Sequence, residues 1–442
     1  MSYSVISSQL ICAKHQQEYP MMVRAEGACY YDDKGKEYID ASGATACVTN
    51  LGHGNEAIAK ALYEQTKTLS VHPTHSFYSP VVENYLRQLT EFAPAGFNKA
   101  WTISGGTEAV ENAIKLAYQY HVMKGKTRSK ILARWGSYHG NSIFVLDAGG
   151  MKVRRDFYEP LMKGFDHVSS CLPYRAPEGM SEQEYEDSLI AEFKTQVEKH
   201  PGDYLCFLAE PIVGAALGAA VPTENYFKRI REICDEHDIL MIADEVMTGF
   251  GRTGERFGHE HFGAQFDILA CAKGISGGYF PLGAIIAHDK VMEVIEGSNQ
   301  PFYSGQTYSC IPQAAAVGIA VLEEYHRQDL ITKSRDTGAY LKEKLAAIDS
   351  PYVGDVRGKG LFLGVEFVED KATKKEFDPT RMIAKNIERA AQDKGVILYA
   401  CRGTVELSRG DHLLIVPPLC LEKQQADKIA DVIAESINEV IS

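Results

Sequence analysis

The sequence predicts an α/β protein, with a large domain on a mostly parallel sheet followed by a small α+β domain. From about residue 71 to 325, short apolar runs alternate with helical patterns, as they do where helices pack on a parallel sheet. Glycines, carboxylates and a lysine follow the ends of those runs, which is where such sheets bind ligands. From about residue 326 the pattern changes to charged amphipathic helices between isolated strands. The predicted divisions are therefore 1–70, a segment contributing to the small domain, 71–325 for the large domain and 326–442 for the small one.

Composition narrows the function classes. The chain has 442 residues, 45% of them hydrophobic and 24% charged, which is ordinary for a globular protein with a large core. A formal net charge of −13 leaves no surplus of Lys and Arg to neutralise phosphates, so no nucleic-acid partner is expected. No apolar run reaches membrane-span length, and Met1-Ser-Tyr-Ser-Val lacks the basic-then-apolar start of a signal peptide. The ten cysteines show no CxxC or His/Cys metal spacing, and Cys206 and Cys271 fall inside apolar strands. They read as reduced, cytoplasmic core residues, with no metal site.

The first thirty residues are weakly patterned and are expected to lie over the body of the protein. Ala28 to Asp40 reads as a hairpin turning at Asp33-Lys34-Gly35, and Asn55 to about Lys67 as an amphipathic helix after the Leu51-Gly-His-Gly54 loop. His53, between two glycines, reads as a loop histidine with a local hydrogen bond or as a ligand.

Strands are predicted at Ala100–Ile103, Lys130–Ala133, Leu205–Ala209, Ile239–Ala243, Ile268–Ala272 and Gly283–Ala287. Beyond residue 326 follow a helix from Leu330 to Ile348, a strand from Gly360 to Phe367 and a helix from about Thr380 to Asp393. The strand Val396–Ala400 and the run His412–Pro418 come next, and the last helix carries Ile429, Ile433 and Ile437 on one face.

Chemistry gathers at the strand ends. Ser104-Gly105-Gly106-Thr107 lies between a strand and a helix, where free N–H groups, glycines and a hydroxyl make either a helix cap or a phosphate cradle. Neither Gly-x-x-x-x-Gly-Lys nor Gly-x-Gly-x-x-Gly occurs there, so neither a nucleoside triphosphate nor a dinucleotide is indicated. Tyr138-His139-Gly140 follows the second strand, Glu210-Pro211 the third and Asp244-Glu245 the fourth. Lys273 ends the apolar run Ile268–Ala272; a lysine there reaches water, pairs with a carboxylate, or lowers its pKa and becomes a nucleophile. A phosphate cradle, a strand-end aspartate and a strand-end lysine together ask for a ligand with a phosphate, a basic ring nitrogen and an aldehyde. Pyridoxal 5′-phosphate has all three, and Tyr138 offers an aromatic face for its ring.

Longer motifs strengthen this reading. Trp135-Gly-Ser-Tyr-His-Gly140, Ala209-Glu-Pro-Ile-Val213, Ile242-Ala-Asp-Glu-Val-Met-Thr-Gly-Phe-Gly-Arg-Thr-Gly254, Ala272-Lys-Gly-Ile-Ser-Gly-Gly-Tyr-Phe-Pro-Leu-Gly-Ala284 and Gln306-Thr-Tyr-Ser309 closely resemble the class III pyridoxal-phosphate aminotransferases, the ω-aminotransferase group. The resemblance runs from the Leu51 loop to Pro417-Pro418. It implies a fold-type-I homodimer with a seven-stranded-type sheet and active sites shared at the interface. Lys273 would be the Schiff-base lysine and Asp244 the partner of the ring nitrogen, with Tyr138 and Val246 on opposite ring faces. Gly105, Gly106 and Thr107 would hold the phosphate, His139 and Glu210 would lie near the cofactor, and Thr307 would reach the phosphate of the neighbouring subunit.

The chain departs from its relatives near the C-terminus. Where many members carry an arginine in Arg-Pro-x-Gly that grips a substrate carboxylate, this sequence has Leu407. Arg402, in a stretch where related chains tend to carry glycines, is the expected substrate contact, while Arg154-Arg155 reads as a solvated pair or a second source of positive charge. Phe77, Tyr78, Tyr138 and Arg402 are expected to shape the substrate pocket. The activity implied is a ping-pong transfer of an amino group from an amine or amino acid to a keto acid such as pyruvate or 2-oxoglutarate. A racemase, an epimerase or an amino-phosphate lyase using the same Lys273 and Asp244 is the alternative.

Overall fold

The structure is a computed structural model that describes residues 19–441. The N-terminal reading made from Met1 to Val5, and most of the weakly patterned lead, lie outside the described residues.

The chain opens with strands β1 (Met22–Glu26), β2 (Cys29–Asp32) and β3 (Glu37–Asp40), then helices α1 (Glu56–Thr68) and α2 (Pro80–Phe92). The large-sheet strands are β4 (Lys99–Ile103), β5 (Lys130–Arg134), β6 (Asp166–Val168), β7 (Tyr204–Ala209), β8 (Leu240–Asp244), β9 (Ile268–Cys271) and β10 (Gly283–Ala287), with α3 (Gly106–Met123) directly after β4. The C-terminal strands are β11 (Val353–Lys359), β12 (Phe362–Phe367), β13 (Val396–Ile397), β14 (Tyr399–Val405) and β15 (Arg409–Ile415).

The large sheet is seven-stranded, in the order β4-β10-β9-β8-β7-β5-β6. Neighbours from β9 through β6 pair parallel, and only β10 runs against its two neighbours, β4 and β9. Continuous apolar runs fit this layout because both sheet faces are covered. On β8 and β9, Met241, Ala243, Leu269 and Cys271 join one core cluster, while Leu240, Ile242, Ile268 and Ala270 join the other. That alternation by twos is the strand period, read through a sheet apolar on both sides. Helix α3 covers β7 to β10 on one face. Its buried stripe of Ala109, Val110, Ala113, Ile114 and Ala117 is the stripe the sequence predicted.

The C-terminal region packs helices Leu330–Ala346, Ile383–Asp393 and Lys423–Ile441 with an antiparallel sheet in the order β11-β12-β15-β14. Ile429, Ile433 and Ile437 are buried on the last helix. The N-terminal hairpin joins this region: β13 pairs parallel with β3, through Val396 with Ile39 and Ile397 with Asp40.

Several expectations need correction. The weakly patterned lead contains a strand, β1, paired with β2. Val396–Ala400 is not one strand: β13 pairs with β3, whereas β14 pairs with β15, so the chain changes sheet at Leu398. The helix expected from Thr380 begins at Ile383, because Met382 takes a left-handed φ of 46° and breaks it from a short turn at Pro379–Arg381. The edge strand β6 was not anticipated. His53 makes local contacts: its backbone exchanges hydrogen bonds with Gly27, and its ring lies 4.5 Å from that of Tyr30. Among the described residues no helix is long and apolar enough to cross a membrane.

Candidate active site

Because β4, β5, β7, β8 and β9 run parallel, their carboxyl ends form one rim. At the first of them, Gly105 is extended and α3 begins at Gly106, so the first-turn N–H groups have no helical acceptor. The turn is fixed by Ser104 N–H donating to Glu108 Oε2 at 2.9 Å, and by Ala109 N–H donating to Gly105 O at 2.9 Å. Position 106 is tightly packed: a Cβ there would stand 3.0 Å from Val246 Cγ1 and 3.5 Å from Ala272 Cβ, so a larger residue makes Val246 give way. The loop after β5 closes on the same turn, with Asn141 N–H donating to Thr107 Oγ1 at 3.2 Å. At Gly140, which has a φ of +140°, a Cβ would lie 2.8 Å from that hydroxyl.

Asp244 ends β8 and is only 4% exposed. Its Oδ2 lies 2.8 Å from His139 Nδ1, and its Oδ1 accepts Val246 N–H at 3.1 Å. A carboxylate can only accept, so the contact assigns the proton to His139 Nδ1. His139, 3% exposed, leaves Nε2 buried without a protein partner. Glu210, at the end of β7, is 5% exposed and its Oε2 is likewise unpartnered. Burial pushes the Glu210 carboxyl up to about 7; His139 opposes the rise and the Asp244 charge adds to it. Arg134, buried beneath, donates to the Glu210 carbonyl and so fixes the backbone there.

Glu245, beside Asp244, turns the other way. It accepts from Gly258 N–H and His259 N–H, both at 2.9 Å, and its Oε1 lies 2.7 Å from His259 Nδ1. Of the carboxylate pair seen in the sequence, one member faces the rim and the other anchors a loop.

Lys273 follows β9 with a left-handed φ of 52°. Burial lowers its pKa, against the pull of Cys47, Asp244 and Glu210. Its backbone is held by Ser276 N–H at 3.1 Å and Gly277 N–H at 3.0 Å, both donating to Lys273 O. The next residue is clamped by Tyr325 Oη donating to Gly274 O at 3.1 Å.

These elements enclose a cavity of about 170 Å³ lined by Gly106, Thr107, Tyr138, His139, Glu210, Asp244, Val246 and Lys273 among others. Gly105 caps the helix at its wall. Ile212, Met247, Thr248 and Ala272 also line it. Sequence reasoning did not single these out, although each sits within three residues of one that it did.

Four expected residues stand apart: Phe77 and Tyr78, exposed just before α2 and absent from the cavity lining, together with Thr307 and Arg402. Thr307 is exposed and does not line the cavity. Arg402, also absent from the lining, donates to Pro379 O at 2.9 Å and lies 3.7 Å from Asp411 Oδ1. The neighbouring Arg154-Arg155 is not a solvated pair. Arg155 is buried and donates to Asp147 O at 2.9 Å and Gly149 O at 2.7 Å, whereas Arg154 is exposed.

The cavity therefore offers anion-binding N–H groups, a buried carboxylate suited to a cationic ring nitrogen, an amine of lowered pKa, and unpartnered polar atoms at Glu210 and His139. That donor and acceptor set fits pyridoxal phosphate. The family model described as Aminotransferase class-III matches residues 11–437. The chain belongs to the class III aminotransferases. It is 36% identical over 440 residues to the uncharacterized aminotransferase YodT of Bacillus subtilis, covering 98% of each chain. It also matches the crystal structure of an (S)-enantioselective omega-transaminase from Thermomicrobium roseum at 34% identity and a TM-score of 0.90, over 97% of this chain and 94% of that one. The omega transaminase of Pseudomonas jessenii in complex with PMP matches at 31% identity and a TM-score of 0.89, over 96% and 93%. As a class III aminotransferase the protein is a fold-type-I, pyridoxal-phosphate-dependent enzyme that moves an amino group from an amine to a keto acid.

Proposed function

We propose that the cavity between α3 and the ends of β8 and β9 is the transaminase site, working in two half-reactions with pyruvate or 2-oxoglutarate as amino-group acceptor. The observation that carries this reading is the placement of Asp244 and Lys273 at the ends of adjacent strands, around one cavity with the α3 N-terminus.

Bound there, pyridoxal phosphate supplies an aldehyde carbon and an electron-withdrawing ring. Gly105, Gly106 and Thr107 hold the phosphate through first-turn N–H groups and a hydroxyl. Asp244, oriented by His139 and by Val246 N–H, holds the proton of the ring nitrogen, and Tyr138 and Val246 confine the ring. Glu210 lies at its edge. Burial favours the neutral amine of Lys273, which lets its Nζ take a proton from the donor's α-carbon and, in the return half-reaction, deliver one to the corresponding carbon of the keto acid.

The enzyme works as a homodimer, with Thr307 completing the partner's phosphate site. Supporting this are exposed aromatic rings at Tyr78, 89% exposed, Phe77, 64%, Tyr308, 62%, and Tyr303, 61%, on segments flanking Thr307 or preceding α2. Residues 1–70, 71–325 and 326–442 form the N-terminal segment, cofactor domain and small domain; the pairing of β3 with β13 supports assigning the first to the last. All nine cysteines among the described residues are free thiols, which supports a cytoplasmic location.

The test adds amines to the purified enzyme without a keto acid. One equivalent of carbonyl product per site, followed by arrest until pyruvate or 2-oxoglutarate is supplied, is the expected result. Continued turnover without a keto acid would sink the reading.

A further inference from the structure

A keto acid carries a carboxylate, and a carboxylate taken from water needs a cation or several donors. The titratable groups lining the cavity include Asp244, Glu210, His139 and Lys273, so acids match or outnumber the fixed cations and the one amine is committed to proton transfer. The surrounding arginines are largely engaged elsewhere. Arg134 donates to Glu210 O, Arg252 to Leu361 O, Pro417 O and Asn50 Oδ1, Arg155 to Asp147 O and Gly149 O, and Arg402 to Pro379 O beside Asp411.

Arg154 differs from all of these. It is exposed, and among the described residues no Asp or Glu forms an ion pair with it. Its guanidinium carbon lies 5.1 Å from the centroid of the Tyr138 ring, which lines the cavity. Its charge also reaches β14 of the small domain. Burial pushes the Tyr399 hydroxyl and the Cys401 thiol of β14 up, and Arg154 draws both back. Aromatic contact steadies a long side chain, while a planar guanidinium keeps donors free for a two-point grip on a carboxylate.

We propose that Arg154, outside the cavity lining but over the ring of Tyr138 that forms part of it, is a specificity-determining residue that binds the carboxylate of the substrate, with Tyr138 and Tyr399 positioning its guanidinium at the cavity's edge. The proposal rests on the transaminase reading, in which the acceptor is a keto acid. It assigns to a loop of the large domain a task that Arg402, bound to Pro379 and Asp411, is not free to perform.

The experiment follows the two half-reactions separately in the holoenzyme through cofactor absorbance. The amine half-reaction uses 1-phenylethylamine or putrescine, whichever the unmodified enzyme accepts, since neither has a carboxylate. The keto-acid half-reaction uses pyruvate and 2-oxoglutarate. In Arg154→Met the ratio of the keto-acid to the amine second-order rate constant is expected to fall about tenfold or more, and in Arg154→Lys to recover in part. An unchanged ratio in Arg154→Met overturns the proposal, even if both constants decline together, because that pattern marks a structural role. An unmodified enzyme that accepts no keto acid overturns the transaminase reading itself, and is told apart by the absence of the second half-reaction before any substitution is made.

Discussion

His139 Nδ1 stands 2.8 Å from Asp244 Oδ2, with both side chains buried although the residues lie 105 positions apart in sequence. The contact gives Asp244 a second donor beside Val246 N–H and fixes the carboxylate's orientation. His139→Ala should therefore leave a buried carboxylate under-satisfied, at a cost of about 1–3 kcal/mol. Steady-state kinetics should show kcat lower by about ten- to a hundredfold, with cofactor still bound. A kcat within twofold of the unmodified enzyme would remove His139 from the site's working parts.

Asp244→Asn keeps the shape and removes the charge. The amide cannot stabilise a protonated ring nitrogen as an anion does, so kcat should fall by about 10²–10³ or more while the protein still co-purifies with cofactor. Loss of cofactor in step with activity would point to a binding role instead.

The two glycines of the α3 turn separate fold from cradle. A Cβ on Gly106 meets Val246 and Ala272, so Gly106→Ala must displace Val246 and should weaken both stability and cofactor retention. A Cβ on Gly105 meets no protein atom within 4 Å, and its extended backbone suits any residue. Gly105→Ala should leave the melting temperature of the cofactor-free protein almost unchanged, yet raise the dissociation constant for pyridoxal phosphate by about tenfold. Equal affinities for both proteins would place the phosphate elsewhere.

Glu210 makes the cofactor-free protein pH-sensitive. Its carboxyl titrates at about 7 in the folded protein against an ordinary 4.5. Between those values the folded protein keeps a proton that the unfolded chain has released, so this group's stabilising contribution is complete below pH 4.5 and lost as pH rises through 7. Glu210→Gln stays neutral throughout. In urea unfolding it should match the unmodified protein near pH 5 and exceed it near pH 8 by up to about 3 kcal/mol. A constant difference across that range would exclude the titration.

Much of this site could be read from the chain because each rim residue follows a run of apolar residues. Asp244 and Lys273 are legible where the runs Ile239–Ala243 and Ile268–Ala272 end, since a polar group at the mouth of a buried strand has few places to go. The order of strands was not visible. Nothing in Gly283–Ala287 says that it runs against both neighbours, because apolar alternation has no direction. The edge strand β6, Asp166–Val168, is short and mixed in polarity, so it carries little periodic signal. The His139–Asp244 contact depends on the fold bringing the loop after β5 against the end of β8, and no local pattern encodes it. The roles of the arginines were hidden for the same reason: Arg154 and Arg155 are adjacent in sequence, and their separate fates follow from which one meets the carbonyls of Asp147 and Gly149.

The backbone at Lys273 makes two demands that its side chain opposes. A φ of 52° favours glycine, and the buried surroundings favour an apolar group, so lysine is a poor choice on both counts. Selection for folding alone would have replaced it, and the enzyme tolerates a local instability so that its amine stands ready. Inactive Lys273→Gly protein should accordingly outlast the active enzyme on heating once both are stripped of cofactor.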